Sequence, residues 1–477
     1  MSIQAIRLRN FRGFRDVTLP LKPLTVLLGP NSSGKSSFGH ALAAMAHSQK
    51  RDPGGQRPSL TPKTDPDEWP IDLGSTNDLR TRGESGRVYV GLEMTSGSVE
   101  FGFGELPPSP NDLILSYLSH PFNVPLMGEI VESRLSSDRS LERESSSDVV
   151  PVSINDLPDL SPNRVIRRDS ENIWWDETEN KQSTVDLDGL LVRSMKHEGG
   201  TSFAPQRKTL EATKNFLNTL TYLRASRKRP SRNYLDRVGE PQRIGYAGEW
   251  TPAVLRENGG DRIRFPQPPG TPSGIAEAKT LINKEWATLE VTLFEGIGYW
   301  LQQLQLANSV VSVPNPLDKR RLQVSLTLPG QQQRNITEIG FGVSQVLPVI
   351  TAGLMQTDGS LFIVDLPEAH LHPLPQARLA DFFCSLALTG HHTLVETHSE
   401  MFFHWLRLRA EMNDQLHDKI AVYFVDRPAP DGCCKDPQLV GLTGDSQLRW
   451  PLGFFEEAWN IESLIKYVRD ARSSTYQ

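Results

Sequence analysis

The sequence predicts an α/β fold built on a parallel sheet, and three observations carry that prediction. Leu24–Leu28 is an unbroken apolar run, the pattern of a strand buried on both faces. A glycine-rich turn and a helical stretch, Ser36–Ala46, follow it directly. From Leu322 to Val425, apolar runs such as LQVSLTL, SLFIVDL, HTLVETH and AVYFVD alternate with helical segments, the rhythm of βαβ units.

Composition sets the outer bounds. The chain has 477 residues, 37% apolar and 23% charged, which suits a large core and argues against wholesale disorder. Its net charge of −6 argues against a protein that coats DNA through overall basicity, while leaving room for a local basic patch. Cys384, Cys433 and Cys434 are too few for a disulfide framework and lack metal-ligand spacing with histidines, so a reducing, cytoplasmic setting is expected. The start, MSIQAIRLRNFRGF, has arginines where a signal peptide would be apolar, and no apolar run reaches the roughly 18 residues that span a bilayer. No membrane association is expected.

Along the chain, Ile3–Leu8 and Val17–Leu21 read as strands, and Arg87–Met94 with Ser98–Phe103 as a hairpin. Residues 48–80 read as a surface loop. Residues 105–205 are polar and Ser/charge-rich, notably Glu132–Asp148, and are expected to form a partly mobile insertion on the head. Helical periodicity returns at Lys208–Leu223 and Ile275–Leu306, without the sustained heptads of a coiled-coil arm. The expected organisation is an N-terminal part of the head at 1–104, an insertion and helical lobe at 105–310, a C-terminal part of the head at 311–425, and a small C-terminal domain at 426–477.

The chemistry concentrates at the two ends. Gly29-Pro-Asn-Ser-Ser-Gly34-Lys35-Ser36 matches G-x-x-x-x-G-K-[ST], in the strand–loop–helix context that motif requires. Glycines let backbone N–H groups wrap a phosphate, and the helix that follows offers its positive N-terminus. Lys35 is expected at the β- and γ-phosphates and Ser36 on Mg²⁺, with Asn31, Gly34 and Ser37 completing the ATP-binding loop. An acid at the end of a neighbouring apolar strand is needed for the metal shell, and Leu361-Phe-Ile-Val-Asp365 supplies Asp365. Glu368, His370 and His372 follow closely, but their spacing is not a zinc pattern. A second apolar strand ends in Glu396-Thr397-His398-Ser399, where parallel sheets bind ligands. That position makes His398 a candidate γ-phosphate sensor; a structural histidine is the alternative.

Together these segments resemble the RecF/SMC/OLD branch of ABC-type ATPases. The entry LRNFRGFRDV with GPNSSGKS resembles that family's first strands and Walker A motif, and Gly340–Gln345 its degenerate signature motif. Asp365 falls at Walker B, Pro367–Pro373 at the D-loop and His398 at the switch histidine. Tyr222–Tyr234 and Trp450–Glu457 further resemble standalone bacterial ATPases common in defence operons. The resemblance implies an ABC-type P-loop head that dimerises or oligomerises on ATP, with Gly342 and Ser344 of one copy contacting the nucleotide of the other. It also implies control of a partner nuclease or toxin. Alternatives are a RecF-like DNA-repair ATPase and a nucleotide-locked scaffold with little hydrolysis.

One departure stands out. Most relatives carry the water-orienting glutamate directly after the Walker B acid, where this chain has Leu366. Glu368 is the expected substitute, so that Glu368→Gln would abolish turnover; otherwise hydrolysis is slow. The resemblance also places one of Arg7, Arg9, Arg12 and Arg15 near the nucleotide. The basic run Arg224, Arg227, Lys228, Arg229 and Arg232 is open to three readings: DNA contact, a solvated helix end or a partner surface. Asp426 and Asp431 do not form the acidic pattern of a Toprim nuclease, so no intrinsic nuclease activity is expected.

Overall fold

The computed structural model describes residues 2–51, 76–106, 109–121, 163–168, 174–177, 180–188, 190–198, 202–203, 205–236, 244–272, 274–330, 332–442, 465–466 and 468–470. Its centre is a six-stranded sheet in the order Thr221–Leu223, Leu361–Asp365, His392–Glu396, Leu24–Leu28, Ile420–Phe424 and Gln438–Val440. Every pairing is parallel except the last. The strand bearing His398's loop therefore lies between the strands bearing the P-loop and Asp365.

The apolar runs predict this burial correctly. Leu24–Leu28, Leu361–Asp365 and Ile420–Phe424 are buried at every position. Because side chains alternate across a strand, the two faces feed two cores. Leu24, Val26, Phe362 and Val364 enter one, with helices Phe341–Leu354, Pro373–Thr389 and Glu400–Met412. Leu27, Leu361 and Ile363 enter the other, with helix Ser36–Arg51 and a second sheet. The molecule is thus a sheet sandwiched between helices on one face and a helix plus an antiparallel sheet on the other.

That second sheet has ten strands among the described residues, all antiparallel to their neighbours. Ile3–Phe11 and Phe14–Pro20 form its edge, Val88–Met94 and Gly97–Leu106 come next, and strands from Ser109–Pro121 to Ser202–Phe203 continue it. The stretch expected as an insertion therefore contributes ordered strands to the sheet that begins at residue 3. Glu132–Asp148 itself lies outside the described residues.

Two helical expectations change. The stretch Lys208–Leu223 is helical only over Arg207–Thr219; Thr221–Leu223 turns into a strand beside Phe362–Val364, because burial on the open edge of the parallel sheet outweighs helical spacing. The stretch Ile275–Leu306 divides into helix Ile275–Leu281, strand Thr288–Thr292 and helix Leu293–Gln303. Thr292 and Glu295 form a reciprocal capping box that starts the last helix. Downstream, Cys434 N–H donates to Gly13 O at 2.8 Å and Gln438–Val440 pairs with Ile420–Phe424, so residues 426–442 pack on the head. The Trp450–Glu457 segment lies outside the described residues.

Candidate nucleotide-binding site

The P-loop leaves the central sheet at Gly29, whose φ of 146° and tight seat both require glycine: a β-carbon there would stand 2.1 Å from Val425 O. Gly34, at φ 98°, meets Cys434 and Phe14 in the same way. The loop passes into helix Ser36–Arg51, with Ser37 N–H donating to Gly34 O at 3.0 Å. The buried Lys35 ammonium donates to Gly29 O at 3.0 Å and Pro30 O at 2.6 Å, and burial holds its pKa below the usual lysine range.

A cavity of about 840 Å³ opens over this loop. Asn31, Gly34, Lys35, Ser36 and Ser37 line it, as do Asp365 and His398. Asp365 ends its strand buried; Tyr222 donates its hydroxyl to Oδ2 at 2.5 Å, and Arg227 holds the Asp365 and Leu366 carbonyls at 2.7 and 3.1 Å. Burial and the charge of Glu396 push the Asp365 carboxyl up. His398 is half-buried, bonds to the Gly29 backbone, and is held below the usual histidine pKa by burial and by Lys35.

Glu396 is a site residue that motif reading assigned no role at the nucleotide. It is the register partner of Asp365, lines the cavity, bonds Ser36, and stands 4.0 Å from Lys35 Nζ. The available signal was its place as the last residue of an apolar strand. Glu368 is placed differently. Its buried carboxylate accepts the backbone N–H of His398 at 2.9 Å and does not line the cavity. Leu366 stands at the turn with a positive φ of 44° and donates its N–H to Glu396 O at 2.8 Å.

Of the four entry arginines, Arg12 reaches the cavity, where it donates to His40 Nδ1 at 2.6 Å; burial and this cation hold His40 neutral, with a pKa of about 3. Arg7 pairs with Asp16 at 2.6 Å, Arg9 with Glu100 at 2.6 Å, and Arg15 with Asp431 at 3.4 Å. The basic run is also split by packing. Arg227 is buried behind Asp365 and Arg224 faces the cavity, while Lys228 and Arg229 are exposed and Arg232 pairs with Glu338. Arg227 is thus no part of a solvent-facing basic surface.

Gly342 and Ser344 lie away from this cavity, in the first turn of helix Phe341–Leu354. Ser344 Oγ donates to Phe341 O at 2.6 Å, and a β-carbon on Gly342 would meet His370 O at 2.6 Å. The helix begins at Gly340, whose α-carbon faces open space, beside the partly exposed Phe341 ring stacked edge-on to His370.

The donor set fits a nucleotide and its divalent cation: loop N–H groups and Lys35 suit phosphates, and the Ser36 hydroxyl, bonded to the buried Glu396 with the buried Asp365 beside it on the next strand, suits Mg²⁺. A parallel sheet with the switch strand between Walker A and Walker B, joined to an antiparallel sheet at the entry strands, defines an ABC-type P-loop ATPase head. Residues 24–403 match the family described as "AAA domain, putative AbiEii toxin, Type IV TA system", and the chain belongs to that family.

Among solved structures, the chain is similar to an SmcHead bound to the C-winged helix domain of ScpA: 14% identity, 92% of this chain and 97% of that one, TM-score 0.41. It is also similar to the SMC head domain from Thermotoga maritima, at 12% identity, 93% and 100% coverage and TM-score 0.34. A third likeness is an Smc head domain with an extended coiled coil bound to the C-terminal domain of ScpA derived from Pyrococcus furiosus, at 12% identity, 92% and 96% coverage and TM-score 0.40. A comparison with curated proteins finds no match. Among the described residues no helix is long and apolar enough to cross a membrane.

Proposed function

We propose that this chain is a cytoplasmic ATPase that binds ATP with Mg²⁺, dimerises on it, turns it over slowly, and controls a partner effector in bacterial defence. The observation that carries the reading is a division within the head. The P-loop, Asp365, Glu396 and His398 share one cavity, while Gly342 and Ser344 stand away from it, in the first turn of a helix that starts at Gly340, where a β-carbon would meet nothing. A site divided in this way is completed by a second copy that presents its signature helix, whose N-terminal dipole suits a γ-phosphate.

Within one head, Lys35 and the loop amides hold the phosphates, Ser36 and the acids behind it hold the cation, and His398 reports on the γ-phosphate. Bound Mg²⁺ would neutralise the β- and γ-oxygens. Leu366 leaves no acid directly after Asp365, which supports slow turnover and an ATP-clamped state. The family description names a toxin of a type IV TA system, which supports the effector and defence context.

Mass measurement of the full chain with ATP and Mg²⁺, with EDTA, and with Lys35→Ala tests the reading. The expected result is a mass that doubles only for the wild type with ATP and Mg²⁺. A monomer under all conditions, despite nucleotide binding, would overturn ATP-driven assembly.

A further inference from the structure

The Walker B position is crowded in a way that bears on the cation. Asp365 has one carboxylate oxygen taken by the Tyr222 hydroxyl at 2.5 Å. Its other oxygen lies beside Gly39, one turn into the P-loop helix, 4.0 Å from where a β-carbon would be. On the next strand Glu396 is fixed in register with Asp365, and its carbonyl accepts Leu366 N–H at 2.8 Å. Its side chain reaches forward instead: it bonds Ser36 and approaches Lys35 Nζ at 4.0 Å. Glu396 Oε2 is buried and has no hydrogen-bond partner. A buried carboxylate oxygen without a donor is costly unless something positive faces it.

We propose that Glu396 is the carboxylate that faces the divalent cation at Ser36, with Asp365 set behind it and tethered by Tyr222. This rests on the chain's binding of nucleotide with Mg²⁺ and assigns the acid at that site to the neighbouring strand. Hard divalent cations favour carboxylate and hydroxyl oxygens, and Mg²⁺ sites use one or two carboxylates beside the phosphates. The orphan oxygen of Glu396, on the same carboxylate that bonds the Ser36 hydroxyl, supplies one such group. Tyr222 then has a purpose: by occupying Asp365 it keeps the second carboxylate oriented within a site where two acids stand side by side.

The test reads cation binding rather than turnover. Mn²⁺ is titrated into the full chain with ADP and followed by electron paramagnetic resonance, while a fluorescent ADP analogue reports nucleotide affinity in EDTA. Glu396→Gln is expected to weaken Mn²⁺ about tenfold or more, in the range seen when a cation's supporting carboxylate is lost, with nucleotide affinity in EDTA little changed. Asp365→Asn is expected to weaken Mn²⁺ less. Should Glu396→Gln not fold, Glu396→Asp gives the same reading, because the carboxylate withdraws by one methylene and Mn²⁺ affinity falls. Wild-type Mn²⁺ affinity in the glutamate variants, or a larger loss in Asp365→Asn, would overturn the assignment. A wild type that binds no nucleotide at all would instead overturn the function proposed above.

Discussion

Glu368 Oε1 accepts the backbone N–H of His398 at 2.9 Å, joining the segment after Asp365 to the loop that follows the neighbouring strand. Both strands are anchored in the parallel sheet, and this bond helps to fix the His398 loop together with Thr397 N–H on Leu27 O and Ser399 Oγ on Gln376. Arg227 lies against the same segment, donating to the Asp365 and Leu366 carbonyls; burial lowers the pKa of its guanidinium, and the nearby Glu368 charge opposes that.

That geometry refines what a substitution at Glu368 does. Glutamine keeps an oxygen where Oε1 accepts from His398, whereas alanine removes the acceptor. Phosphate release is therefore expected to fall far more in Glu368→Ala than in Glu368→Gln. Equal loss in both variants would show that the negative charge itself acts in turnover.

Lys35 has two tasks. Its ammonium braces the loop carbonyls of Gly29 and Pro30, and it lines the cavity over the loop where phosphates would be held. Lys35→Ala is expected to weaken a fluorescent ATP analogue by roughly 10- to 100-fold, the worth of one or two charge-assisted hydrogen bonds. Anisotropy titration checks this, and an affinity within a factor of two of wild type would contradict it.

The arginine run should prove heterogeneous. Arg227→Ala takes the guanidinium donor from the Asp365 carbonyl and leaves the Leu366 carbonyl with the Ala369 N–H, and the expected loss is about 2–3 kcal/mol in urea unfolding. Arg229→Ala, at an exposed position, is expected to change stability by less than about 0.5 kcal/mol. Similar losses in the two variants would be inconsistent with the packing.

Asp365 gives a pH signature. Its folded pKa is raised from 3.8 to about 7, by burial first and the Glu396 charge next. A group raised on folding stabilises the native state at low pH, and that stability is lost as pH rises through the window between those two values. In EDTA and without nucleotide, Asp365→Asn is therefore expected to melt above wild type at about pH 8 and to approach it near pH 4. A variant that melts lower than wild type at the higher pH would contradict the buried-acid account.

Much of this was determined by the sequence itself. The strands at 24–28 and 361–365, apolar except for Thr25 and the closing Asp365, point to a doubly covered parallel sheet, because that environment rewards a nearly continuous apolar run. Gly29, Gly34, Lys35 and Ser36 are legible because phosphate binding imposes a fixed local spacing that no tertiary context needs to supply. Asp365 and His398 are legible for a related reason, as polar residues closing apolar strands.

The tertiary structure decided what depends on residues far apart in the chain. Thr221–Leu223 became a strand because the sheet edge beside Phe362–Val364 was open to it. Arg227 left the basic run because the end of the Walker B strand offered it buried carbonyls. Arg12 was singled out from its neighbours because Arg7, Arg9 and Arg15 found carboxylates elsewhere. Glu396 and Glu368 exchanged prominence for the same reason. Sequence spacing places both near the site, but only the register of one strand against its neighbour decides which carboxylate faces the cavity and which faces the backbone.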